Sequence, residues 1–105
     1  IALSELDRPL ILELEKLGPF GHGNPAPKLL SRAVCGRTSL LRGGHLKIFP
    51  EHPTTRFECV AWNMERYRSW WDDAVDIVYT PVREYWRGRE RLTLRVHDMR
   101  PSGEP

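Results

Sequence analysis

Seven of the ten residues from Gly18 to Pro27 are glycine, proline or asparagine, and this run limits how the remaining chain can be arranged. Prolines 19, 25 and 27 fix φ and remove backbone donors, while glycines 18, 21 and 23 open backbone angles closed to other residues, so neither a helix nor a strand passes through. The segment bearing Pro19, Phe20, Gly21, Gly23, Asn24 and Pro25 reads as a rigid structural corner. Phe20 is expected to turn inward as its anchor, buried beneath the loop. A second reading stays open: free amides of Gly21 and Gly23, beside His22 and Asn24, cradle a phosphate or a neighbouring domain.

Ahead of the corner lies one amphipathic helix. Leu10, Leu14 and Leu17 recur at helical spacing with Ile11 beside them, and Glu13, Glu15 and Lys16 face away. Asp7 is placed to cap the helix, Pro9 confines its start to near residue 8, and Gly18-Pro19 stops it. Beyond the corner the pattern turns to short β-prone runs, expected at 30–41, 45–49, 57–63, 75–80, 82–87 and 90–98, with tight turns at Gly43-Gly44 and Arg87-Gly88. Met64, Tyr67, Trp70 and Trp71 return to helical spacing and predict a short helix between the third and fourth strands, its tryptophans plugging one end of a barrel. Three strands, a helix and further strands is the chain order of the five-stranded Greek-key barrel called the OB-fold. The expected architecture is therefore all-β with short helices: helix and corner over 1–28, barrel over 29–100 and a flexible tail over 101–105.

A chain of 105 residues holds one modest core. It has no signal peptide and no apolar run long enough to span a membrane, so a cytoplasmic setting without membrane contact is expected. The absence of an initiating methionine makes it read as a piece of something longer. Cys35 and Cys59 show no CxxC spacing and the four histidines stand apart from other ligands, so both thiols are expected buried and free, with no zinc site.

Net charge is only +2, but its distribution is uneven. Residues 17–47 carry five basic side chains and no acidic one, and residues 83–105 carry six against four, whereas 1–16 and 48–82 are acidic on balance. Two basic segments brought together by the fold would make a one-sided positive surface suited to a nucleic-acid backbone. The last strand is the most legible: Leu92, Leu94 and Val96 alternate with Arg91, Thr93, Arg95 and His97, an apolar face against a cationic one. The hairpin before it adds Tyr85, Trp86, Arg87 and Arg89, and an earlier strand adds His45 and Lys47, with Arg37 on the strand preceding that. Rings beside arginines on such a barrel suit single-strand binding, since rings stack bases and arginines pair with phosphates. Glu65, Asp72, Asp73 and Asp76 are expected to face away. No convergent carboxylates and histidines, and no nucleophile beside an oriented histidine, are spaced for catalysis, so no enzyme activity and no cofactor are expected of this chain.

These residues resemble a known family. The run Leu14 to Pro27, then His45-Leu46-Lys47, Val60-Ala61-Trp62-Asn63, Val75-Asp76-Ile77-Val78-Tyr79, Trp86-Arg87-Gly88 and Leu92 to Arg100 are similar, in that order, to the OB domain of RecJ-type exonucleases. The resemblance implies a bacterial, cytoplasmic enzyme that digests single-stranded DNA from its 5′ end in recombination and repair, with a divalent metal, Mn or Mg, in a DHH-type catalytic core outside this chain. It implies single-stranded DNA and the catalytic core as partners, with single-strand-binding protein a further one. Glu84 and Thr93 depart from the family's Asn and Gln. A different class of role, a packing or protein-interaction module without DNA contact, stays open here.

Overall fold

In the computed structural model, which describes residues 1–103, six strands form one sheet in the order β1-β5-β6-β4-β3-β2. They are β1 (Leu29–Val34), β2 (Gly36–Leu41), β3 (His45–Pro50), β4 (Glu58–Ala61), β5 (Val75–Trp86) and β6 (Arg89–Pro101). The two ends of that order, β1 and β2, are halves of one bent strand interrupted only at Cys35, so the sheet closes on itself. The expected five-stranded barrel becomes six by this break. β4 and β6 pair in parallel and every other pair is antiparallel. A 3₁₀ helix, Glu65–Asp72, spans the gap between β4 and β5 where a short helix was expected. Its three-residue turn brings Tyr67 and Trp70 into a stack at 4.2 Å, while Trp71 enters the core.

The bend between β1 and β2 has identifiable causes. Ala33 takes φ +56, a register shift falls between Ser31 and Val34, and the Ala33 amide donates to Asp76 Oδ1 at 2.9 Å. A Cβ on Gly36 would stand 2.7 Å from the Phe49 carbonyl oxygen, so only glycine lets β2 approach β3 there. Asp76, expected only to face away from a nucleic acid, is buried by this duty, with Arg100 Nε donating to its second oxygen at 3.1 Å. At the other hairpin Arg87 and Gly88 both take positive φ, as a two-residue turn between twisted strands requires. β5 runs unbroken through Pro81, which was expected to divide it. The proline falls beyond Tyr79, where β5 has lost its second neighbour β1 and runs as an edge.

Alternation sets the core. Leu46 and Ile48 of β3, Cys59 and Ala61 of β4, Ile77 and Tyr79 of β5, and Leu94 and Val96 of β6 point inward. Cys59 is sealed there and burial pushes its thiol up to about 12, while Cys35 at the bend is exposed, against expectation. The C-terminal segment also differs: Pro101 completes β6 and the Ser102 amide donates to the Ala74 carbonyl at 2.9 Å. The end of the expected tail, 104–105, lies outside the described residues.

Helix α1 (Arg8–Glu15) starts as expected, with Asp7 Oδ1 accepting from the Leu10 amide at 2.9 Å. Ile11 is its buried residue, whereas Leu17 falls past its end and is exposed. Leu3 and Leu6, in and beside a 3₁₀ turn at Leu3–Glu5, complete the apolar contact. Glu15, expected to face solvent, turns to the sheet and pairs with Arg83 of β5 at 2.7 Å. Arg83 also meets Glu90 at 3.1 Å and Arg8 meets Glu90 at 2.7 Å, so four alternating charges tie α1 to the β5–β6 hairpin. Hydrogen bonds from Arg83, Arg8 and the Ala33 amide hold the carboxyls of Glu15, Glu90 and Asp76 below their usual range. A carboxyl depressed by folding stabilises fully above its unfolded pKa and loses that contribution as pH falls through its folded value. The melting temperature should therefore decline once pH drops below about 4.5. Asp76→Asn should flatten that decline, as thermal melts across pH would show.

The corner differs most from expectation. Phe20 is 39% exposed, and neither Gly21 nor Gly23 takes a positive φ or has an atom within 4 Å of a Cβ placed on it. Asn24 does the bracing instead: its Nδ2 donates to the carbonyls of Leu17 at 3.0 Å and Pro19 at 2.9 Å. The Gly21 amide is spent on the Asn24 carbonyl at 2.9 Å, which removes it from any phosphate cradle. Asn24→Ala should cost about 1–3 kcal/mol, two net hydrogen bonds. Phe20→Ala should cost only about 1–2 kcal/mol, the transfer energy of a half-covered ring. Urea unfolding checks both, and a loss of about 3 kcal/mol or more at Phe20 would restore it as a buried anchor.

Candidate nucleic-acid interface

The outward rows of five consecutive strands make one surface. Register pairs Arg37 with Phe49, Leu41 with His45, Lys47 with Val60, Val60 with Arg95, Glu58 with Thr93, Thr93 with Val82 and Arg91 with Glu84. Paired residues share a face, so Arg37, His45, Lys47, Arg91, Thr93 and Arg95 come together as the alternation predicted. Trp86 and Arg89, paired at the hairpin tip, extend the row, and the Arg91 guanidinium lies 5.6 Å from the Trp86 ring. A cleft of about 430 Å³ over Thr93 and a wider one of about 870 Å³ toward Arg37 and Phe49 share Glu58 and Arg91, giving one continuous groove.

Two of the expected residues stand elsewhere. Tyr85 lies on the opposite side of β5 from Trp86, where its hydroxyl accepts from Arg83 at 2.9 Å within the charge cluster facing α1. Arg87 occupies the turn itself and lays its guanidinium 4.3 Å from the Trp86 ring centre. His45 is on the face but supports it from below: its Nδ1 accepts from the Asn63 amide at 2.9 Å, and its ring meets Trp62 edge-on at 4.4 Å.

Trp62 and Phe49 are members that the strand reading passed over. Trp62 follows β4 on the outer row and is 59% exposed, comparable to Trp86 at 57%. Phe49 carries two cations above its ring, Arg37 at 5.5 Å and Lys47 at 5.4 Å. The signal was present, because Phe57, Cys59 and Ala61 point inward and the same period of two sends Glu58, Val60 and Trp62 outward. Applying to 57–63 the alternation read in the last strand finds Trp62, and carrying the alternation of His45 and Lys47 on by two residues finds Phe49.

The surface is basic but partly self-neutralised. Glu58 sits 3.2 Å from Lys47 and 3.8 Å from Arg91, and Glu84 sits 3.3 Å from Arg95. Arg37 and Arg89 have no carboxylate partner among the described residues. Chemically the groove offers guanidinium and ammonium donors, indole faces and one buried hydroxyl. Among the described residues no three His, Cys, Asp or Glu side chains converge as a metal site. Nor is any helix of the described residues long and apolar enough to cross a membrane.

A family model described as the RecJ OB domain matches residues 1–98. The chain belongs to the RecJ OB-domain family. Two solved structures agree in fold: RecJ of Thermus thermophilus in complex with Mg²⁺, and RecJ of the same organism in complex with Mn²⁺. Each superposes with a TM-score of 0.63 at 22% identity over 94% of this chain. The domain spans only 16% and 15% of those chains. No curated protein matches the sequence. The ions named with those two structures belong to those proteins, and no residue of this domain is assigned to a metal.

Proposed function

We propose that this domain grips single-stranded DNA along the groove between Trp62 and Trp86, as the strand-holding part of a RecJ-like 5′-to-3′ exonuclease whose metal-dependent catalytic core lies outside the chain. One observation carries the reading: two exposed tryptophans and five basic side chains share one face of an OB-type barrel of the RecJ family. Rings take bases without regard to sequence, and guanidinium groups take phosphates. The catalytic core is the natural neighbour of the domain in that arrangement, and single-strand-binding protein is a further candidate partner.

Fluorescence titration of labelled oligo(dT) at several salt concentrations tests this. Removing one phosphate-binding cation lowers the slope of log K against log[salt] by about 0.7. Arg89→Ala should show that full reduction, because its guanidinium has no carboxylate partner among the described residues to release. Arg95→Ala should show less, because Glu84 already neutralises part of it. Absence of binding by the folded parent, or slopes unchanged in both variants, would move the DNA contact elsewhere.

A packing role has its own observation. Leu17 and Phe20 are exposed together with the open glycines 21 and 23, an apolar corner with no steric reason inside this domain for its glycines. That corner suits a neighbouring domain of the parent enzyme and is compatible with strand binding on the groove.

A further inference from the structure

Thr93 is a buried polar residue whose hydroxyl has no hydrogen-bond partner among the described residues. It is 4% exposed, and its Oγ1 is sealed from solvent, although it lines the smaller cleft between Arg91 and Arg95. An unpartnered buried hydroxyl is costly, and such groups in folded proteins call for a reason.

Register shows what covers it. Thr93 lies opposite Val82 on β5 and Glu58 on β4. Glu84 lies opposite Arg91, yet its carboxylate bonds Arg95 at 3.3 Å, so this ion pair crosses diagonally past Thr93. From the other side Glu58 reaches Arg91 at 3.8 Å and Lys47 at 3.2 Å. Two ion pairs thus roof the hydroxyl. Their guanidinium groups are about half exposed, 47% for Arg91 and 58% for Arg95, and such pairs are weakly held in water. A phosphate competes well for either guanidinium, since it accepts the same forked hydrogen bonds.

We propose that Thr93, Glu58 and Glu84, which line this cleft together, form a nucleobase-edge subsite, uncovered when strand phosphates draw Arg91 and Arg95 off their carboxylates. The inference rests on the strand-gripping reading above and adds base selection to it. The exchange frees the Glu84 carboxylate, leaves Glu58 held by Lys47 alone with its remaining lone pairs open, and uncovers one hydroxyl that donates or accepts. That set matches an edge bearing an exocyclic amine, cytosine N4 or adenine N6, and suits thymine less, whose single edge donor, N3–H, is flanked by the acceptors O4 and O2 that face the carboxylates. Trp62, in the wall of the same cleft, offers a ring for the selected base to stack on. The carboxylates lower affinity for any strand by competing for the arginines, and in return they discriminate.

The test compares oligo(dC) with oligo(dT) of equal length, at neutral pH and one salt concentration, so that stacking and phosphate number stay matched. The parent should bind oligo(dC) about five-fold or more tightly, the discrimination of one good base-edge contact. Thr93→Val and Glu84→Gln should each bring the ratio toward one, and Glu84→Gln should also strengthen oligo(dT) binding by freeing Arg95. Should Thr93→Val fail to fold, the surface variant Glu84→Gln carries the test. Equal binding of both oligomers by the parent, or a preference that survives in the folded variants, overturns the subsite while leaving the strand grip standing. Failure of the folded parent to bind either oligomer overturns the grip itself.

Discussion

Tyr79→Ala should lose about 3–5 kcal/mol of folding free energy, the usual cost of emptying a buried aromatic site. Tyr79 is fully buried in β5 where the barrel closes against β1, and its register partners are Leu29 on one side and Val96 on the other. Its hydroxyl lies 2.7 Å from Ser31 Oγ, which donates to the Ile1 carbonyl at 2.8 Å, so the phenol is the donor into that chain. Tyr79→Phe therefore separates the two contributions. It keeps the ring and the Ser31 bond to Ile1, and should cost about 1 kcal/mol. A marginal domain holds about 5–15 kcal/mol in all, so the alanine variant should sit near the limit of folding while the phenylalanine variant stays well inside it. Urea midpoints of the two variants and the parent give the comparison. Equal losses in both would place the stabilisation in the hydroxyl and not in the ring.

Trp62→Ala should weaken oligo(dT) binding by about 1–3 kcal/mol at every salt concentration and leave the salt slope unchanged, because stacking carries no counterion release. Trp86→Ala should fall at the lower end of that range. The guanidinium groups of Arg87 and Arg91 already lie against the Trp86 ring at 4.3 and 5.6 Å, so a base gains only what it adds over the cation it displaces. Trp62 meets an edge-on histidine and leaves a broad face open. Both residues are exposed at the groove and remote from the core, so the variants should melt like the parent. If both bind as tightly as the parent, no base stacks on this face and the corner at Phe20 becomes the better candidate for the contact surface.

Much of the fold is legible because its rules are local. Asp7 and Pro9 start α1 within one turn, and the hairpin turns at Arg87-Gly88 and Gly43-Gly44 demand positive φ, which their glycines supply. The alternation of Leu92, Leu94 and Val96 with arginines sorts β6 into an inner and an outer row without knowledge of its neighbours. The RecJ resemblance, carried by ordered motifs, agrees with the family match over 1–98. The same local reading failed where burial depends on distant chain. Phe20 sits between glycine and proline in a way that suits an anchor, but what lies beneath a loop is set by residues far along the sequence. Asn24, a turn former by composition, proved to be the brace.

The sequence by itself determined where helix α1 starts and stops and where the hairpin turns fall, which residues of a strand share a face, and that a cationic row lies opposite an apolar one. Those properties follow from dihedral preferences and side-chain periods that act over about two to four residues. Only the tertiary structure decided which rows meet. Parallel pairing of β4 with β6 sets Glu58 beside Thr93 and within reach of Arg91, and the antiparallel partner β5 brings Glu84 to Arg95. Ion pairing depends on separations of a few ångströms between residues far apart in the chain, so the charges that a linear count assigns to a positive surface are partly cancelled once register is fixed. Trp62's place on the outer row, and Tyr85's on the side of β5 away from Trp86, follow from the period of two along each strand; register decides only that the outer rows meet in one groove.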